Sequence, residues 1–129
     1  MISAATICLA LGIYFEARSE PIPVKKEVAS VILNRGPNAC DIVFKPHQFS
    51  WAHFPKYNKP STESFLYSSK FMKSIHIVDR DSWETSVSVA KTARKKSVAK
   101  YFHSHKKRPA WTRHLVFVKK LGKMSFYTD

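Results

Sequence analysis

The stretch from Ile7 to Phe15 constrains this chain most. In Ile7-Cys8-Leu9-Ala10-Leu11-Gly12-Ile13-Tyr14-Phe15 nearly every residue is apolar, on all sides of a helix. A helix that is apolar all round has to be enclosed by other elements. The stretch also falls short of the roughly 20 residues that span a bilayer. It therefore predicts the central helix of a small globular core. The run ends on a carboxylate, Glu16. Pro21 disfavours helical geometry at Glu20, so the helix is expected to stop between Arg18 and Glu20.

That position has chemical consequences. Apolar surroundings favour the neutral form of an acid. The negative end of a helix dipole does the same. Both move Glu16 toward the behaviour of a proton donor at neutral pH. A Glu solvated at a frayed helix end, or paired with Arg18, is the competing reading of the same residues.

The 129 residues suit one domain, read as residues 1–129, with a real hydrophobic core. Charge is the unusual quantity. With 22 Lys and Arg against 9 Asp and Glu, the net charge is +13. Such a surface attracts polyanions, either nucleic acid or an anionic envelope polymer or membrane. The charge concentrates in Lys91, Arg94, Lys95, Lys96, Lys100, Lys106, Lys107 and Arg108. No basic segment precedes the first apolar run and no small-residue cleavage site follows it, so synthesis without a signal peptide is expected. Cys8 reads as a small core residue, and its pairing with Cys40 stays open.

A second helix is expected from Pro23 to the cap at Gly36, with Val24, Val28, Val31 and Ile32 on its apolar stripe and Lys25, Lys26, Glu27 and Ser30 off it. Prolines from Pro37 to Pro60 predict irregular chain, including an apolar plug at Ile42-Val43-Phe44. There Gln48-Phe49-Ser50-Trp51 alternates polar and aromatic residues, suited either to a sugar groove or to pinning the loop onto the core. A short helix is expected within Ser61 to Ser74. Another should run from an N-cap at Ser82 to about Lys96, and Val98 to Ser104 should be extended. His103, His105 and His114 lack a metal-ligand pattern, and no metal is expected.

Cys8-Leu9-Ala10-Leu11-Gly12-Ile13-Tyr14-Phe15-Glu16-Ala17-Arg18-Ser19-Glu20-Pro21 resembles the signature of the spore-cortex-lytic and cell wall hydrolase family (SleB type). The likeness continues through Val31-Ile32-Leu33-Asn34-Arg35, Cys40 with Ile42-Val43-Phe44, and Gln48-Phe49-Ser50-Trp51. It resumes at Ala99-Lys100-Tyr101-Phe102-His103, Pro109-Ala110-Trp111 and Leu121-Gly122-Lys123-Met124-Ser125-Phe126-Tyr127. The segment from His53 to Asp81 matches little and reads as a variable insertion. Three positions depart from the family pattern: Ser19 stands for a Gly, Lys100 for a small polar residue and Met124 for a His.

The resemblance implies a mostly α (α+β), single compact lysozyme-like or lytic-transglycosylase-like domain. It implies cleavage of peptidoglycan glycan strands, with Glu16 as catalytic acid and no cofactor. Gln48, Ser50, Trp51, Tyr101 and His103 are expected to hold substrate, with Arg18 and Glu20 supporting Glu16. A lone acid favours lytic transglycosylation, since ordinary glycosidases use two carboxylates. A hydrolytic muramidase of the same fold is the near alternative. A basic nucleic-acid-binding module and a wall-binding structural protein are the distant ones. No nucleic-acid-binding signature is present, so the expected partners are glycan strands and anionic envelope polymers. The chain is read as a monomer acting on the wall, in the manner of a phage endolysin.

Overall fold

The computed structural model describes residues 2–45, 77–104 and 107–129. The expected features at Gln48, Ser50 and Trp51, and the expected helix within Ser61 to Ser74, lie outside these residues.

Helix α1 (Ala4–Ala17) is the central element. The Ser3 side chain caps it by accepting from the Thr6 backbone N–H at 3.2 Å. Every residue from Ile7 to Tyr14 is buried, as an all-apolar helix requires. Full burial of side chains such as Leu11 and Ile13 is worth about 1.5–3 kcal/mol each. Helix α2 (Ile22–Arg35) crosses α1 at Gly12. A Cβ at Gly12 would lie 2.6 Å from Ile32 Cδ1, so a larger residue here would make the Ile32 side chain shift. A short helix α3 (Ala39–Val43), capped by Asn38, occupies chain expected to be irregular. Cys8 of α1 and Cys40 of α3 form a disulfide, which settles the pairing that the sequence left open.

Helix α4 (Arg80–Lys91) packs on α1. Its N-cap is Asp79, which accepts from both the backbone N–H and the hydroxyl of Ser82. Ser82 is thus a first-turn residue and not the expected cap. These bonds hold the Asp79 carboxyl below the usual carboxylate range. The helix also stops at Lys91, short of the expected Lys96, for a reason that lies on α2. Glu27, Ser30 and Asn34 recur at helical spacing and form a polar stripe. The Ser30 hydroxyl accepts from Lys96 N at 2.8 Å. Glu27 accepts from the Ser97 hydroxyl and pairs with Lys119. Asn34 donates to the carbonyls of Ser97 and Ala99 at 2.6 and 2.8 Å. Backbone groups that would have continued α4 are bound here instead. Lys25, Glu27 and Ser30, expected outside the apolar stripe, are therefore buried. Lys25 Nζ donates to the carbonyls of Arg18 and Glu20 and closes the end of α1.

Three strands complete an α+β fold: β1 (Tyr101–His103), β2 (Val116–Leu121) and β3 (Met124–Thr128), antiparallel in the order β1-β3-β2. The strand expected between Val98 and Ser104 is β1. A two-residue turn at Gly122-Lys123 joins β2 to β3. Gly122 has φ +55°, and an added Cβ there would meet Glu20 Oε2 at 2.8 Å. Met124 and Phe126 point into the core and are buried. The Met124 departure from the family pattern is thus a core feature.

Candidate active site

Glu16 lies in the last turn of α1 and is half-buried. Arg35 ends α2, and the Glu16 carboxylate acts on it electrostatically. Burial pushes the Arg35 pKa down, while Tyr101 and Glu16 oppose that shift. The Arg35 guanidinium carbon sits 5.2 Å from the Tyr101 ring centroid, and its Nε donates to the Lys100 carbonyl. Arg35 thereby links the candidate acid to strand β1.

Strand alternation sets the next layer. Tyr101 and His103 share one face of β1, and Phe102 turns to the core side against Phe126. Tyr101 pairs with Tyr127, which pairs with Phe117, so three aromatic residues lie in one row across the sheet. The His103 ring stacks on Tyr127 at 5.3 Å, with its Nε2 2.8 Å from the Tyr127 hydroxyl. Trp111, on a 3-10 turn (Ala110–Thr112), stands edge-on to His103 at 6.0 Å and 6.5 Å from Tyr101. Trp111 is 52% exposed and Phe117 49% exposed. Arg108 fixes the turn by donating to the Thr112 hydroxyl and to the Thr112 and Leu115 carbonyls, and it covers the Tyr127 ring at 5.0 Å. Arg108 is therefore part of the scaffold, although the sequence grouped it with the solvated basic run.

The remaining expected residues divide. Tyr101 and His103 belong to this face; Tyr101 borders solvent, while His103 is buried under its neighbours. Arg18 donates to the Tyr14 hydroxyl at 3.0 Å. Tyr14 also accepts from the backbone N–H groups of Val78 and Asp79, which anchors the start of α4. Burial raises the Tyr14 pKa, but these bonds and the Arg18 charge bring it below its ordinary value. Glu20 lies against the Gly122 turn, and its charge acts on Lys25. Arg18 thus bonds back to Tyr14 of α1, and Glu20 lies against the Gly122 turn and Lys25. His114 is exposed. The sequence did not single out Arg35, Trp111, Phe117 and Tyr127, which the geometry adds as candidate site residues. The signal for Arg35 and Trp111 was present in the Asn34-Arg35 and Pro109-Ala110-Trp111 matches.

The sequence pattern of the cell wall hydrolase family matches residues 19–127. The matched segment begins three residues after Glu16 and takes in Arg35 and the whole sheet. No curated protein and no solved structure matches the chain.

Proposed function

This chain belongs to the cell wall hydrolase family, and from that premise we propose that it cuts peptidoglycan glycan strands as a lytic transglycosylase with Glu16 as the acid. One observation carries the reading: Glu16 ends a buried helix and is coupled through Arg35 to an exposed aromatic face. Such a face suits sugars, whose apolar C–H faces stack on aromatic rings while their hydroxyls meet polar tips.

In this mechanism protonated Glu16 donates to the glycosidic oxygen between N-acetylmuramic acid and N-acetylglucosamine. The bond from the muramic C1 to that oxygen breaks through an oxocarbenium-like state. The C6 hydroxyl of the same sugar then bonds to C1, and its proton returns to the Glu16 carboxylate. The products are a 1,6-anhydromuramic end and a free N-acetylglucosamine hydroxyl. Hydrolysis would require a carboxylate to activate water. Several other acids have structural work: Asp79 caps α4, Glu27 pairs with Lys119, and Asp41 and Asp81 lie in the first turns of α3 and α4. With these acids engaged in the scaffold and the Asp129 carboxylate held by Tyr101 and Lys100, the single-acid reading is favoured.

The setting that fits a chain of net charge +13 is an endolysin-like monomer held near the wall by anionic envelope polymers. No helix among the described residues is long and apolar enough to cross a membrane. Mass spectrometry of digested peptidoglycan tests the chemistry. Muramic ends lighter by one water support transglycosylation. Reducing muramic ends would replace it with hydrolysis.

A further inference from the structure

Beside the Arg35–Tyr101 contact lies a groove of about 320 Å³ bordered by Arg35, Lys45, Lys100, Tyr101 and Asp129. We propose that this groove is a carboxylate subsite, in which Lys100 and Tyr101 recognise the peptide-stem carboxylates borne by the muramic sugar. The proposal rests on the glycan-cleaving reading above and adds a substrate feature to it.

The chain itself supplies a stand-in ligand. The Asp129 carboxylate lies in the groove, accepting from the Tyr101 hydroxyl at 3.0 Å and from Lys100 Nζ at 3.2 Å. One phenol and one ammonium converging on two carboxylate oxygens is a geometry that an incoming carboxylate can adopt. Charge favours the exchange, since three cations, Arg35, Lys45 and Lys100, border the groove against the one Asp129 carboxylate. The resident pair is also easily displaced. Its side chains are 43% and 62% exposed, and exposed ion pairs contribute little net stability. A substrate carboxylate therefore replaces Asp129 without breaking the fold. Arg35, which borders the groove, is within electrostatic reach of Glu16, so the groove lies on the side of the fold that carries the acid.

The test compares two soluble stem-bearing glycans of equal length, one with its stem carboxylates free and one with them converted to amides. The readout is the ratio of kcat/KM on the two. Wild type should favour the free-carboxylate glycan about fivefold, the scale of a partly exposed charge pair. Lys100→Gln should bring the ratio close to one, through KM on the free-carboxylate glycan. Asp129→Asn, which removes the competing charge, should raise it. Equal wild-type rates on both glycans, or a ratio unaltered by Lys100→Gln, overturn the subsite and leave the catalytic reading intact. Cleavage of neither glycan overturns the catalytic reading and the subsite with it.

Discussion

The Arg35 guanidinium carbon lies over the Tyr101 ring, 5.2 Å from its centroid, and ties the end of α2 to the first strand of the sheet. The same side chain bonds the Lys100 backbone and feels the charge of Glu16. Among the described residues, Arg35 thus contacts the aromatic face and lies within electrostatic reach of Glu16.

Arg35→Lys keeps the charge but loses the planar face and the fixed Nε donor. We expect kcat/KM on peptidoglycan to fall about tenfold, on the scale of a partly buried cation–π contact. The melting temperature should drop by a few degrees. Kinetics beside a thermal melt check this. Full activity in Arg35→Lys would mean that the stack does not position the cleft.

Trp111 offers a different contrast. At 52% exposed, it contributes little to the core. Trp111→Ala should raise KM for soluble glycan about fivefold to tenfold, from the loss of a sugar-stacking surface, with the melting temperature nearly unaltered. Unaltered KM with a large loss of stability would make Trp111 a packing residue only.

Much of the helical core was legible because its signals are local. The unbroken apolar run gives α1, and Pro21, Pro23 and Gly36 bracket α2. The sheet was less legible. In β2 the register shifts between Phe117 and Lys119, which interrupts the two-residue alternation on which strand reading depends. The end of α4 was misread because its stop signal is not in α4 at all: from α2, Ser30 and Asn34 capture the following backbone and Glu27 the Ser97 hydroxyl. The position of Glu16 at the close of the apolar run was legible, and it is half-buried in the last turn of α1. Its electrostatic coupling to Arg35 was not legible, since it arises only once α1 and α2 pack together.

The Cys8–Cys40 bond closes a loop with a sequence separation of 32. Chain-entropy arguments assign such a loop about 3–4 kcal/mol. Replacing both cysteines by alanine should lower unfolding stability by up to that amount, measured by denaturant titration. The wild type should lose a similar amount in strong reductant, while the variant stays insensitive to it. Equal stability with and without reductant would show that the bond contributes nothing in solution.

Lys91, Arg94, Lys95 and Lys96 lie exposed at the end of α4. Exposed charges steer association and are screened over about 8 Å at physiological salt. Activity on whole walls should therefore fall steeply with added salt, and cleavage of a short uncharged fragment should not. Changing all four residues to Gln should flatten the salt response on walls. Tight, salt-dependent binding to a defined nucleic acid in a gel-shift titration, without peptidoglycan cleavage, would point to the other class of polyanion.

The central claim is that Glu16 transfers the proton. Glu16→Gln is nearly isosteric and removes only that proton. The direct measurement is clearing of purified peptidoglycan by Glu16→Gln protein whose melting temperature matches wild type, with Glu20→Gln alongside. We expect the Glu16 variant to lose at least about a hundredfold in rate, the scale of general acid catalysis, and the Glu20 variant to lose much less. Clearing at near wild-type rate by folded Glu16→Gln protein would contradict the account.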